Sequence, residues 1–307
     1  MNLFYLAAAP YGGWVTFTAH LALKHSWPVF RLKDHSEKRS RPLGYGITYR
    51  NTRLSDVSGP CLITAIDRKN LHLLACFPAG TWLVIHDPTE ITKKTLSVFQ
   101  KFRLITIRRS VHDYIKETYD LDSLFLLHPF HSYSTSDEVR TESVSINRID
   151  FDKHQDIVLR ANQLGADIKL FGSINRLYVH LKLKDLPFSD SYKGSFPKSF
   201  EALNNILSRA KFVVDMSQIK KDGGGTQYTF LEAIHHGCIL VLHRKWVEGF
   251  ESVFVDRKNC LIVSDEKELT EVLSQEWPGL TEHARLLLRP HLEVDWAQLY
   301  RTTLKLP

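Results

Sequence analysis

A series of short apolar runs, separated by helical patterns, plays through once along this chain and then starts again, and this constrains its fold more than any other feature. In the first half, residues 3–8, 61–66, 82–85, 104–107 and 124–127 read as strands. Residues 16–25 follow a Gly-Gly turn as a helix, and 93–102 and 109–118 carry helical spacing. In the second half, 143–149, 168–171, 212–216, 239–242 and 261–263 read as strands, alternating with helices over 152–164, 200–208, 228–236 and 266–274. Strands covered on both faces by crossover helices lack in–out alternation and show up as such runs. The pattern predicts an α/β chain of two Rossmann-like domains facing a central cleft, with ligands at the carboxyl ends of the strands. The 307 residues suit two domains. We place them at 1–142 and 143–285, joined through the polar stretch 133–142, with a helical segment over 286–307 returning to the first domain.

Composition narrows the classes. At 43% hydrophobic and 24% charged residues the chain is neither disordered nor fibrous. Residues 1–143 carry 18 Lys and Arg against 13 Asp and Glu, whereas 144–307 carry 22 against 21. The cationic surplus therefore sits in the first half, as an anionic partner or chance scatter over solvated faces would give. Four widely spaced cysteines, Cys61, Cys76, Cys238 and Cys260, form no disulfide or metal pattern and fit a reducing, cytoplasmic setting. No apolar run reaches the ~20 residues of a membrane helix. Residues 1–15 imitate a signal peptide but lack a basic start.

Several stretches can carry chemistry. Asp222, Gly223, Gly224, Gly225, Thr226 and Gln227 lie between the 212–216 strand and the next helix. Backbone N–H groups of glycines and a helix start can hold a phosphate, with Thr226 as cap and hydroxyl donor. A tight turn is the other reading. The segment lacks the Gly-Lys-Ser/Thr ending of a P-loop. Glu232, further along that helix, can take two ribose hydroxyls or be an ordinary surface Glu. Arg148 and Lys153 flank a strand end and can clasp a diphosphate, or be two solvated cations. His86, followed by Asp87, stands at a strand's carboxyl end, as a base or as a structural His before Pro88. Asp120 with Asp122, and Asp150 with Asp152, imitate a metal-binding carboxylate pair, but the spacing is common in turns, and no histidine set has ligand spacing. The 31–53 stretch reads as a long loop rich in cations and aromatics. Its Arg31, Lys33, Lys38, Arg39, Arg41, Tyr45 and Arg50 are candidates for binding a polyanion, or a solvated face.

Together these pieces resemble a GT-B glycosyltransferase of the large retaining class numbered family 4. Tyr11, Gly12 and Gly13 look like the glycine loop under the donor phosphates. His86 matches a His-Asp after a middle strand. Asn147 through Lys153 are similar to the family's Gly-Arg-Leu-x-x-x-Lys, placing Arg148 and Lys153 on the diphosphate. Glu232 is similar to the second, ribose-binding Glu of the E-x7-E motif. Residues 210–217 and 258–263 resemble two further family strands, and Trp296 and Tyr300 fall in the closing helix. At the first Glu of that motif stands Gly224, so Gly224, Gly225 and Thr226 amides or the Asp222 and Gln227 side chains would replace it. The short Lys-Asp-Gly-Gly-Gly-Thr-Gln-Tyr version looks like that of phage and large-virus enzymes.

The resemblance implies transfer of a sugar from a nucleotide sugar, a UDP-sugar, to a hydroxyl acceptor with retention. His86, Arg148 and Lys153 are the catalytic candidates, and neither a divalent metal nor a further cofactor is required. With the basic first half, it points to a 5-hydroxymethylpyrimidine in DNA as acceptor, a protein working as a monomer or weak dimer, and a host cytoplasm for a viral chain. The alternatives are a glycan or lipid-linked acceptor and a non-catalytic nucleic-acid-binding protein. A sugar-nucleotide epimerase ranks last, because no G-x-G-x-x-G follows the first strand.

Overall fold

The first-half runs become one parallel sheet. Strands β1 (Asn2–Tyr5), β2 (Val29–Leu32), β3 (Tyr49–Thr52), β4 (Cys61–Ala65), β5 (Trp82–Ile85), β6 (Arg103–Thr106) and β7 (Ser123–Phe125) bond in the order β3-β2-β1-β4-β5-β6-β7. The chain winds out from β1 to β3, then restarts at β4 on the other side of β1. The switch point therefore falls between β1 and β4, and ligands bind at the carboxyl ends of such strands. Phe4, Ile63, Leu83, Ile85 and Leu104 are fully or almost fully buried, with Val111 and Ile115 of helix Arg109–Tyr119 against them. This computed structural model describes residues 1–8, 12–32, 42–136, 138–218, 225–248, 253–299 and 301.

The expected 31–53 loop is corrected at both ends by β2 and β3. The edge strand β3 exposes Arg50 and Asn51, so it offers no apolar run to read. Strand β2 contains a charge, the buried Arg31.

The second-half runs repeat the topology. Strands β8 (Glu142–Ile146), β9 (Ile168–Phe171), β10 (Tyr192–Gly194), β11 (Ala210–Asp215), β12 (Ile239–His243) and β13 (Leu261–Val263) lie in the order β10-β9-β8-β11-β12-β13, again all parallel. The switch point falls between β8 and β11. Leu170, Val214 and Val241 pack with Ile157 and Leu159 of helix Gln155–Gln163 and Leu269 of helix Glu266–Leu273. After β9 the chain passes Gly172 (φ +151°), where a Cβ would sit 1.8 Å from the Asn147 carbonyl oxygen, so only glycine fits.

The chain divides into unit 1, Met1–Ser132 with Pro290–Pro307, and unit 2, Tyr133–Arg289. The first division thus lies ten residues before the expected 142/143. The polar stretch is tied into unit 2: the Tyr133 ring packs on Phe200 and His235, and Ser136 and Asn204 exchange hydrogen bonds. The second division falls at Pro290, inside helix Leu280–Glu293. In unit 1 the Lys24 ammonium donates to the carbonyls of His291, Leu292 and Val294, a cation at a helix carboxyl end. Trp296 is buried edge-on to Phe17, its indole N–H on the Leu127 carbonyl. No helix among the described residues is long and apolar enough to cross a membrane.

Candidate functional site

In unit 2, side chains gather at the β8/β11 switch point. After β8 a tight turn over Phe151–Lys153, capped by the Asp150 carboxylate, brings Lys153 back across the sheet end. Its ammonium is buried and donates to Ser217 Oγ (2.8 Å), just past β11, and Gln227 Oε1 (3.4 Å). The Trp246 ring lies 5.7 Å from it, and the Trp246 indole N–H holds the Gly225 carbonyl at 3.0 Å. Trp246 thereby ties the ammonium to the end of the glycine segment. Sequence reasoning missed Trp246, which reads as one more apolar residue after β12.

Gly225 has φ +121°, suiting a glycine. Thr226 is half-buried but does not cap the helix. Helix Tyr228–His235 starts from Gln227, and no side chain closes that cap. Asp222, Gly223 and Gly224 lie outside the described residues.

Arg148 is exposed and held by Asp150 (3.0 Å) and Asp152 (3.1 Å). It reaches a diphosphate only by exchanging carboxylates for phosphate oxygens. The Asp150/Asp152 pair is thus an arginine clamp, and Asp120 and Asp122 likewise both bind Lys116. Among the described residues no three His, Cys, Asp or Glu stand together as metal ligands. Glu232 is buried and accepts from the Tyr133 hydroxyl, the same kind of donor a ribose would bring. Tyr133 lies ninety-nine positions away, so nothing local in the sequence marks the pair.

In unit 1, His86 follows β5. Its Nε2 meets the Thr64 carbonyl at 2.7 Å, so Nε2 carries the proton and Nδ1 the lone pair. The ring stands edge-on to Phe17 at 4.9 Å. Burial pushes its pKa down to about 4, so it is neutral at pH 7. Arg108 donates to the His86 carbonyl at 2.9 Å and approaches Asp87 at 3.6 Å. The sequence did not single out Glu90, because a Glu after Pro-Thr reads as a solvated turn. Its Oε2 accepts the His86 backbone N–H at 3.3 Å, and Oε1 is buried with no hydrogen-bond partner. Burial raises its pKa to about 8, leaving it mainly protonated at neutral pH.

Gly12 and Gly13 are exposed at the start of helix Gly12–His25, and a Cβ on either would meet nothing within 4 Å. Two polyanion candidates prove to be internal. Arg31 is buried and brackets the chain after β1, donating to the carbonyls of Ala7 (2.8 Å) and Ala8 (3.4 Å). Tyr45 shares a hydrogen bond with Thr16 Oγ1. Arg50 is exposed on β3, and Lys33, Lys38, Arg39 and Arg41 lie outside the described residues.

Two parallel sheets of Rossmann order in one chain define the GT-B fold of glycosyltransferases, and comparison with solved structures shows that fold here. Anabaena HepE, in complex with UDP and glucose, is 14% identical and matches over 100% of both chains with a TM-score of 0.67. An alpha-glucosyltransferase in complex with UDP-glucose and DNA containing an abasic site is 13% identical, over 99% of this chain and 98% of that one, with a TM-score of 0.69. S. aureus TarM is 14% identical over 82% of this chain and 56% of its own, with a TM-score of 0.53. No protein-family model matches the sequence, and no curated protein matches it either.

Proposed function

We propose that the chain is a glycosyltransferase that moves a sugar from a UDP-sugar to a hydroxyl of an acceptor. One observation carries the reading. The Lys153 ammonium is buried at the unit 2 switch point, held by neutral oxygens of Ser217 and Gln227, with no ion-pair partner among the described residues. A buried cation needs an anion, and a diphosphate at a switch point supplies one. The neighbours solved with UDP or UDP-glucose support this choice of anion.

In the reaction we propose, the acceptor hydroxyl attacks the anomeric carbon on the face that the diphosphate leaves. The carbon–oxygen bond to the diphosphate breaks, the proton passes to the departing phosphate oxygen, and configuration is retained. Lys153 offsets the charge growing on the diphosphate, the electrostatic term that dominates such chemistry. Arg148 joins it once Asp150 and Asp152 release the guanidinium. Glu232 takes the ribose when Tyr133 gives up its hydrogen bond. His86, a neutral imidazole with a free Nδ1, accepts a sugar hydroxyl, and the amides of Gly12 and Gly13 take a phosphate oxygen. No divalent cation takes part.

As acceptor we propose a 5-hydroxymethylpyrimidine in DNA, flipped out of the duplex. The cationic surplus of the first half supports it, as does the likeness to an alpha-glucosyltransferase in complex with DNA containing an HMU base. The test is UDP release from a panel of UDP-sugars with no DNA, plain duplex, or hydroxymethylated duplex. Release that needs the modified duplex, and that Lys153→Ala lowers at least about a hundredfold, is the expected result. Donor hydrolysis indifferent to DNA removes the DNA acceptor, and silence with every donor removes the transferase.

A further inference from the structure

At the amino end of the unit 2 sheet, two guanidinium groups meet over one glycine. Gly237 (φ +73°) turns the chain from helix Tyr228–His235 into β12. The heavy atoms nearest a Cβ built there are Arg285 Nη2 at 3.6 Å and Arg140 Cζ and Nη1 at 3.8 Å. Arg285 is exposed on helix Leu280–Glu293, and Arg140 is half-buried just before β8. Like charges this close repel unless an anion stands with them.

Among the described residues no carboxylate supplies that anion. Among the described residues neither guanidinium has an ion pair, and Arg140 Nε is buried without a hydrogen bond. Three carboxylates of the same unit have other partners. Glu142 is paired with Lys169 and Arg209, Glu138 accepts from Ser208, and Glu232 accepts from Tyr133. Burial lowers the pKa of His236 and raises that of the Cys238 thiol to about 12, and the Arg140 charge acts on both from beside Gly237, adding to the first shift and opposing the second. Two forked donors over a residue without a side chain are a receptor for a tetrahedral oxyanion, each fork taking two oxygens.

We infer that Arg140 and Arg285 form an oxyanion site at Gly237 that takes a phosphate group. It lies at the opposite end of the strands from Lys153, which follows the carboxyl end of β8. It does not depend on the proposed transferase reaction. The group can come from free phosphate or from a phosphodiester of nucleic acid.

The test is calorimetric titration of the full chain with inorganic phosphate at low chloride. Wild type, Lys153→Ala, Arg140→Gln and Arg285→Gln are compared, each shown to be folded by circular dichroism. Saturable binding that survives Lys153→Ala, and that either Arg→Gln change weakens at least about tenfold, is expected. Arg285 is exposed on a helix, so its variant keeps the test open if Arg140→Gln misfolds. Absence of saturable binding, or wild-type affinity in both arginine variants, overturns the site. A duplex oligonucleotide is then added as competitor. Displacement of phosphate, lost in Arg285→Gln, supports the site with a phosphodiester as its source. Unaltered phosphate binding supports it with free phosphate.

Discussion

Glu90→Gln takes away one titrating proton and keeps an oxygen for the His86 backbone N–H. Burial moves the Glu90 acid from 4.5 to about 8, and the Asp87 charge adds to that rise. The His86 N–H, the Trp14 indole and the Arg108 charge oppose it. The folded state therefore keeps a proton that the unfolded chain gives up above pH 4.5. The associated stability is complete below pH 4.5 and is lost as pH rises to about 8. Each pH unit in that window costs about 1.4 kcal/mol, so from pH 5 to pH 7 wild type loses roughly 3 kcal/mol relative to the variant. Urea unfolding of both proteins at pH 5, 6 and 7 measures this, because every other titrating group is common to the pair and cancels. The variant should gain on wild type at each step. Parallel pH profiles would show that Glu90 is ionised in the folded protein and refute the reasoning.

Three further outcomes follow from the same geometry. Gly172→Ala should cost about 3 kcal/mol or more, or leave no soluble protein, since its Cβ meets the Asn147 carbonyl; thermal unfolding reads it. Trp246→Phe keeps a ring near Lys153 but frees the Gly225 carbonyl, which should cost about 1 kcal/mol and weaken UDP binding in calorimetry, while unchanged affinity would separate the tryptophan from the site. His86 is held neutral down to about pH 4, so its contribution is present above pH 6.5 and lost as pH falls from 6.5 to 4. His86→Gln should flatten the acid limb of the unfolding profile by about 1.4 kcal/mol per pH unit.

The buried strands were legible because burial on both faces leaves an unbroken apolar run, as at β5 and β12. The edge strands β7 and β13 were read too, whereas the edges β3 and β10 and the charged internal strand β2 were not. β3 is half polar, and β10 is three residues ending in glycine. Lys153 and Glu232 stood out through local motifs, and both proved buried. The pairings did not stand out, even for the singled-out Gln227, because Ser217 and Gln227 lie far in sequence from Lys153 and Tyr133 lies far from Glu232. Arg31 misled for a physical reason. A cation in a polar stretch reads as a surface charge, yet here it satisfies two backbone carbonyls that its own fold leaves open. Arg140 and Arg285 drew no attention because nothing near either one in sequence says that they converge.

The seat of Trp296 has a consequence for synthesis. Phe17, Lys24 and Leu127, which receive the closing segment, are translated before any of unit 2, and the segment itself is translated after it. At about 5–20 residues per second, unit 1 waits roughly ten to thirty seconds with that apolar seat empty. The nascent chain must spend that interval with a hydrophobic notch open to chaperones or to a neighbouring polysome product. The segment around Trp296 decides when the packing around Phe17 and Leu127 is finished.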